Sequence, residues 1–170
     1  MTSILAACAT AQMAPMYDQG SLPAAVRVPA GNKVAMETVG VGEITYECRD
    51  KKDMAGQYEW VFVGPDAALN DRSGKKIGKY FGPPATWESM DGSKFTGTQV
   101  AVAPGGAGNI PMQLVKANPI MGSGAMTGVT YVQRVSTKGG TAPAMACDAG
   151  SKGKKEIVMY QADYIFYKAS

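Results

Sequence analysis

Strict alternation of apolar and polar side chains is the strongest pattern along this chain. Between residues 43 and 49, one face receives Ile44, Tyr46 and Cys48, while polar side chains fall on the other face. Residues 156–167 alternate in the same way, with tyrosines, Phe166 and aliphatic side chains on one face. A period of two residues is that of a strand with one buried face. The sequence therefore predicts β-strands at both places.

Turn-forming residues separate the alternating or β-branched segments. Gly-x-Gly at 40–42, Gly64-Pro65 and the Asp-Gly pair at 91–92 each predict a turn or a strand end. The segments that predict strands are 33–39, 43–49, 57–63, 76–81, 95–102, 112–117, 127–135 and 156–167. Short strands at this spacing predict an all-β fold, which we expect to be an antiparallel β-sandwich or a jelly-roll-like barrel of about nine or ten strands.

The first 24 residues differ from the rest because they are rich in Ala, Met and Pro and nearly uncharged. In a chain of 170 residues, this predicts a signal remnant or extended tail at 1–24 and a single β domain at 25–170. The stretch from Leu5 to Cys8 has the form of a bacterial lipobox, which makes Cys8 a candidate for lipidation. Alternatively, cleavage follows the A-x-A pattern at 9–11, or the resemblance to a processing signal is chance.

Composition favours a location outside the cytoplasm. Charged residues make up 18% of the chain, below the roughly 25% of an average soluble domain, and glycine is abundant. The formal net charge is +3 without a basic stripe between aromatic side chains, so the sequence does not predict nucleic-acid binding. No apolar run reaches the ~18 residues of a transmembrane helix, so we expect no membrane span. We therefore expect an extracytoplasmic protein, either secreted or attached to the envelope.

The three cysteines, Cys8, Cys48 and Cys147, bear on the same question. If Cys8 belongs to a processing signal, Cys48 and Cys147 remain as one pair that can form a disulfide. Such a bond persists only outside a reducing cytosol, and it would close a loop of about 100 residues. The alternative is that the two are unrelated buried thiols.

A series of short motifs runs through the chain in a fixed order. Among them are Val28-Pro29-Ala30-Gly31-Asn32, Tyr46-Glu47-Cys48, Thr86-Trp87-Glu88, Val129–Val135, Cys147-Asp148 and Tyr164–Tyr167. In combination they resemble an uncharacterised family of secreted bacterial and fungal proteins, a domain of unknown function with two recurrent cysteines. The resemblance covers roughly residues 26–167 and places those cysteines on Cys48 and Cys147. It implies secretion and a β fold, and it implies no reaction.

The residue types exclude much of enzyme chemistry. The chain contains no histidine, which excludes Ser-His-Asp and Cys-His catalysis and His-ligated zinc. We expect no catalytic residue, no metal and no cofactor. Glu88 and Asp91 come nearest to a carboxylate pair, and a glycoside hydrolase would need both at one cleft, about 5–10 Å apart. A strand end at Glu88 and the Asp91-Gly92 turn explain the two residues without catalysis.

Three neighbouring side chains are candidates for ligand binding. Trp87 lies beside a Gly-Pro-Pro loop, and an aromatic ring offers a large apolar face on which a sugar can stack. An extracellular ligand- or glycan-binding module would place Tyr80, Trp87 and Glu88 in one exposed groove, in contact with a glycan or the cell wall.

The sequence favours a non-enzymatic extracellular or cell-envelope protein. We hypothesise a structural subunit that assembles with other copies into a filament, with Ile4, Leu5 and Met13 of the apolar tail as anchors. The tail would add as a strand to an exposed sheet edge or lie in a groove between subunits. The alternatives are the binding module and a hydrolase that uses Glu88 and Asp91.

Overall fold

The computed structural model describes residues 17–170. Most of this part of the chain forms strands: β1 (Asn32–Asp50), β2 (Tyr58–Asn70), β3 (Lys76–Phe81), β4 (Thr86–Ser89), β5 (Lys94–Ala103), β6 (Met112–Ala117), β7 (Val129–Gly139) and β8 (Lys155–Ala169). Short 3₁₀ turns occur at Ala24–Val26 and Ala149–Ser151. The candidate anchors Ile4, Leu5 and Met13 and the lipidation candidate Cys8 lie outside the described residues.

Each strand pairs antiparallel with its neighbour in sequence, and β8 returns to pair with β1. The strands of residues 17–170 thus form one sheet closed into a ring, which is an up-and-down barrel. The prediction of an antiparallel all-β fold is confirmed. Within residues 17–170 the strands number eight rather than nine or ten, and of the two predicted arrangements, sandwich or barrel, they form a barrel, in up-and-down rather than jelly-roll order.

The predicted turn at 40–42 is wrong, because β1 runs without interruption through Gly40 and Gly42. Neither glycine has a positive φ, so neither supplies a turn conformation. Instead, the lack of a side chain at each glycine allows another strand to come close. A Cβ on Gly40 would meet the Tyr164 ring, and a Cβ on Gly42 would overlap the backbone at Ala67. The close approach of β1 to β2 and β8 therefore explains why these two positions are glycine. The strands predicted at 33–39 and 43–49 are parts of one strand.

The predicted stop at Gly64-Pro65 is also wrong, because β2 continues through it to Asn70. A bulge lies at this point: Thr45 pairs with Gly64 while Tyr46 pairs with Phe62, which leaves one residue of β2 without a partner. Proline is tolerated in strands at bulges, where the ladder of hydrogen bonds is already interrupted.

The predicted inward faces of β1 and β8 are confirmed. Ile44 and Tyr46 of β1 and Tyr160, Tyr164 and Phe166 of β8 are buried in the same apolar cluster. Their positions two residues apart turn every second side chain into the lumen. The burial of these rings stabilises the closed barrel.

Residues 17–28 cover one side of the outer face of the barrel. There the side chain of Gln133 on β7 is completely buried. It donates a hydrogen bond to the Val26 carbonyl oxygen at 2.7 Å and accepts one from the Tyr167 hydroxyl at 3.0 Å. Val26 is itself fully buried against outward-facing side chains. Tyr17 and Leu22 pack against the same cluster of outward-facing side chains.

We predict that Gly42→Ala destabilises the barrel, because the new methyl group would meet Ala67 backbone that cannot move without shifting β2. Overpacking of this kind costs about 1–3 kcal/mol, and each kcal/mol lowers the Tm by about 2–4 °C in a chain of this size. Gly150→Ala is the matched control, since only an Asp148 oxygen lies near its would-be Cβ. Equal Tm values for the two variants would show that the approach of β1 to β2 is not tight.

Candidate functional site

One end of the barrel carries the connections that follow the odd-numbered strands. In an up-and-down barrel every second connection emerges at the same end, so this end gathers residues 51–57, 82–85, 104–111 and 140–154. We call this end the barrel mouth.

A disulfide fixes the longest of these connections. It joins Cys147, within residues 140–154, to Cys48 near the end of β1, with the two Cα atoms 5.5 Å apart. The predicted pairing of these cysteines is confirmed. Cys48 is completely buried, so the bond is part of the packed body.

Two hydrogen bonds hold the same connection against β1 and β2. The Trp60 indole N–H donates to the Met145 carbonyl oxygen at 2.9 Å, and the Tyr46 hydroxyl donates to the Gly140 carbonyl oxygen at 2.7 Å. Together with the disulfide, they keep residues 140–154 over the β1–β2 side of the barrel mouth.

A cavity of about 290 Å³ opens elsewhere at the barrel mouth, and none of residues 140–154 lines it. Its aromatic and small walls are Phe62, Tyr80, Ala85, Trp87, Gly97 and Val115. Its polar walls are Gln99, Gln113 and Arg134. We call this set of nine residues the barrel-mouth pocket. The volume is at the small end of the range for ligand sites, so it suits one ring or a short chain.

Trp87 lines the pocket within a stack of three rings on adjacent strands. It pairs in register with Tyr80 on β3 and with Phe95 on β5. The ring centroids lie 4.7 Å from Tyr80 and 5.4 Å from Phe95, with nearly parallel planes. Because a ring covers the indole from each neighbouring strand, Trp87 has no free face on which a sugar could stack.

Phe62 supplies an aromatic surface that remains accessible. Its side chain is about half exposed (51%), and it meets Tyr46 edge to face at 6.1 Å between ring centroids. An apolar body entering the barrel-mouth pocket can therefore contact Phe62 without displacing a core ring.

Arg134 brings a positive charge into the wall of the pocket. It lies in the middle of β7, where its Cα partners are Gln113 on β6 and Tyr164 on β8. Its Nε–H donates to the Pro111 carbonyl oxygen at 3.0 Å. Within residues 17–170, no carboxylate lies within 4.0 Å of the guanidinium. Its terminal nitrogens therefore keep N–H groups that can bind an acceptor.

A second feature of the lining residue Trp87 is an unpaired donor. The indole N–H of Trp87 is buried and has no hydrogen-bond partner among the described residues. Burial of a donor without a partner is costly, so such groups are uncommon and call for an explanation. A larger depression of about 500 Å³ beside Pro119 and Ile120 has neither an arginine nor an unpaired buried donor in its wall.

The phenols near Arg134 are neutral at ordinary pH. Burial raises the pKa of Tyr80 and of Tyr46, and the Arg134 guanidinium opposes this only in part. Burial also raises the pKa of Tyr164 well above its usual value. Arg134 is therefore the charged member of the barrel-mouth pocket, and the remaining walls are neutral.

Glu88 does not share a groove with Tyr80 and Trp87. Successive residues of β4 point to opposite faces, so Trp87 faces the lumen and Glu88 faces outward. There the Glu88 carboxylate is paired with Lys79 and Lys94, each with an N···O distance of 3.6 Å. The three predicted ligand-binding residues therefore lie on two faces of the sheet, with Tyr80 and Trp87 in the lumen and Glu88 on the outside.

Asp91 has a structural use at the end of the barrel opposite the mouth. Its carboxylate accepts hydrogen bonds from the Ser93 hydroxyl at 2.6 Å, the Ser93 N–H at 2.9 Å and the Ala125 N–H at 2.8 Å. These bonds lower the pKa of Asp91 to about 2. A general acid in glycoside hydrolysis needs a raised pKa, so this environment does not suit Asp91 to the general-acid role.

Within residues 17–170, no three His, Cys, Asp or Glu side chains are grouped so as to hold a metal ion. The same residues include no helix with the length and apolar character needed to cross a bilayer.

Comparison with known proteins gives the family of the chain. The model of the family described as Protein of unknown function (DUF3455) matches residues 29–168, which run from the residues before β1 almost to the end of β8. The chain belongs to this family. No curated protein and no solved structure matches it. Membership of DUF3455 confirms the predicted resemblance to a family of unknown function, while the secreted origin stays a prediction.

Sequence reasoning missed Arg134 as part of a site in this DUF3455 chain. The alternation of β7 places Arg134 on the face of Val132, and Val132 is completely buried in the lumen. An arginine in phase with a strand's buried positions is the signal that could have identified it.

We predict that Cys147→Ser lowers the Tm by several degrees under non-reducing conditions. The bond spans a sequence separation of 99 residues, and the chain-entropy model gives about 4–5 kcal/mol as an upper value for such a loop. Thermal melts of the wild type, Cys147→Ser and Cys48→Ser/Cys147→Ser check this. Reductant should lower the Tm of the wild type to that of the double variant, and equal values without reductant would contradict the prediction.

We predict that Asp91 contributes stability that is lost in acid. Its folded pKa of about 2 lies below the ordinary value of 3.8. The contribution is therefore fully present above about pH 4 and disappears as the pH falls through 2. Urea midpoints of the wild type and Asp91→Asn should differ at pH 6 and converge towards pH 2. Asp53→Asn, at an exposed position, is the control, and parallel curves for Asp91→Asn and the wild type would refute the prediction.

Proposed function

We propose that this protein is a non-enzymatic, extracytoplasmic barrel that binds a small organic molecule in the barrel-mouth pocket. The observation that carries the proposal is a cavity with aromatic and aliphatic walls and an arginine that pairs with no carboxylate among residues 17–170. Ligand sites are typically concave and mostly apolar, with a few polar groups that fix orientation.

The chemistry of the wall supports binding rather than catalysis. Arginine stays protonated in proteins and cannot act as a general base. The glutamines do not titrate, and burial raises the pKa of Tyr80, so this phenol is not a base at neutral pH. The carboxylates of the alternative hydrolase, Glu88 and Asp91, are engaged outside the pocket.

The disulfide supports the extracytoplasmic part of the proposal. Bonds such as Cys48–Cys147 form and persist in oxidising compartments. Detection of this bond in protein taken from its native compartment would test the location directly, and free thiols there would contradict it.

The small cavity favours a compact ligand over a glycan chain. A sugar-binding platform needs an open aromatic face, and the faces of Trp87 are covered by Tyr80 and Phe95. Phe62 offers an accessible ring beside aliphatic walls, which suits one ring or a short alkyl chain.

Self-assembly through the tail stays a hypothesis, because Ile4, Leu5 and Met13 lie outside the described residues. The ring of strands does not exclude either form of it. β2 pairs with β1 along its whole length but with β3 only from Asp66 to Asn70, so within residues 17–170 its first half has a strand partner on one side only. An added strand and a groove between subunits both remain forms of that hypothesis.

We predict that Ala85→Phe abolishes ligand binding, because the larger side chain would project from the pocket wall into the cavity. The probes are benzoate, benzamide, benzylamine and hexanoate, tested by thermal shift and isothermal titration calorimetry. At least one probe should raise the Tm of the wild type by mass action, and its affinity should fall more than tenfold in Ala85→Phe.

Ala125→Phe is the matched control, since Ala125 is exposed and lies in the connection at the opposite end of the barrel. It should bind as the wild type does. Absence of binding for every probe, or equal binding by Ala85→Phe, would refute the barrel-mouth pocket as a ligand site.

A further inference from the structure

The geometry points to a specific class of ligand: we propose that the barrel-mouth pocket binds a small monocarboxylate. The carboxylate would pair with the guanidinium of Arg134, and the apolar body would lie against Phe62 and Ala85. This inference rests on the proposed function, because it names what the same pocket selects.

The first argument is the missing counter-charge. Arg134 is half-buried beside Tyr80 and Tyr164 in the lumen, yet no carboxylate among residues 17–170 pairs with it. A charge partly removed from water is normally paired, since desolvation is otherwise uncompensated. A ligand carboxylate would supply the partner that the described chain does not.

The second argument is the way in which the guanidinium is held. Its Nε–H is occupied by the Pro111 carbonyl oxygen at 3.0 Å. This bond ties the side chain to the connection 104–111 at the barrel mouth and leaves the two terminal nitrogens for an incoming group. Guanidinium nitrogens form parallel hydrogen bonds to the two oxygens of a carboxylate, a pairing that is both strong and directional.

The third argument is the neutrality of the other walls. The Gln113 amide donates to the Gln99 side-chain oxygen at 2.6 Å, so the two amides form one uncharged polar rim. None of the nine lining residues is acidic, and Arg134 is the one cation among them, so the pocket favours an anion.

A single charge distinguishes a carboxylate from a phosphate. Sites for dianionic phosphate usually combine several cations or a row of backbone N–H groups. Here the lining contains one cation and apolar walls in a cavity of about 290 Å³. One negative charge on a compact apolar body therefore matches the site best.

Isothermal titration of four related probes at pH 7 tests the inference: benzoate, benzamide, benzylamine and phenyl phosphate share one ring and differ in charge. Benzoate should bind the wild type at least tenfold more tightly than the other three. Arg134→Gln should weaken benzoate by about 10- to 100-fold, the range expected when a charge-assisted hydrogen bond is lost, and change benzamide less than about threefold.

Two further variants keep the result interpretable. Arg49→Gln removes the same charge from an exposed position outside the pocket, where Arg49 pairs with Glu47, and should leave benzoate binding unchanged. Arg134→Lys keeps the charge but loses the two-pronged geometry, so it should bind benzoate with intermediate affinity. Should Arg134→Gln not fold, the probe selectivity of the wild type and the Arg134→Lys result decide the question.

The outcomes separate this inference from the proposed function. Equal binding of benzoate and benzamide, both lost in Ala85→Phe, would overturn the carboxylate assignment and leave the pocket as a ligand site. Preference for phenyl phosphate would replace the carboxylate by a phosphate, and preference for benzylamine would reverse the sign of the ligand's charge. Binding of none of the probes would overturn the proposed function together with this inference.

Discussion

The pairing of β1 with β8 is the interaction on which the rest of the structure depends. It begins where Asn32 meets Ala169 and ends where Glu47 meets Lys155, and it joins the first strand of the ring to the last. Without it the meander would be an open sheet with two unpaired edges and an exposed aromatic face. With it, Tyr160, Tyr164 and Phe166 of β8 face a closed lumen. The disulfide from Cys48 reinforces the same seam, because the backbone N–H of Cys48 already donates to Lys154 at 2.9 Å.

Closure also explains why a pocket exists at one end. Aromatic and aliphatic side chains fill the lumen, and Met126, from a connection opposite the mouth, is part of the packed cluster. At the mouth, residues 140–154 are tied down over β1 and β2 by their disulfide and hydrogen bonds. The opening therefore lies where small or polar residues, among them Gly97 and Gln113, line the wall.

The sequence predictions rested on local patterns, and they were correct for features that depend only on neighbouring residues. Alternation identified the inward faces of β1 and β8 correctly, since side-chain direction depends only on position along a strand. Gly40, Gly42 and Pro65 were misinterpreted because their reason is not local: the glycines admit Tyr164 and Ala67 from other strands, and the proline lies beside a bulge. Local pattern left the sandwich and the barrel as alternatives, because ring closure pairs residues more than 100 positions apart.

The candidate site was predicted only in part, for the same reason. Tyr80 and Trp87 were identified as aromatic candidates and do line the pocket, but Glu88 falls on the other face of β4. Arg134 reaches the pocket from a strand distant in sequence. It was identified because no carboxylate among residues 17–170 pairs with it. A missing partner is a property of the folded surroundings, which a linear pattern does not contain.

The Cys48–Cys147 bond also determines what happens when the backbone is cut once between the two cysteines. The connection 104–111 is largely exposed and lies between the two cysteines in sequence. A single cut there would yield one piece with β1 to β5 and another with β6 to β8. The pieces would remain covalently joined through sulfur and hydrogen-bonded along two seams, β5 with β6 and β8 with β1. A nicked molecule would thus keep both halves of its barrel-mouth pocket together until the disulfide is reduced and both seams open.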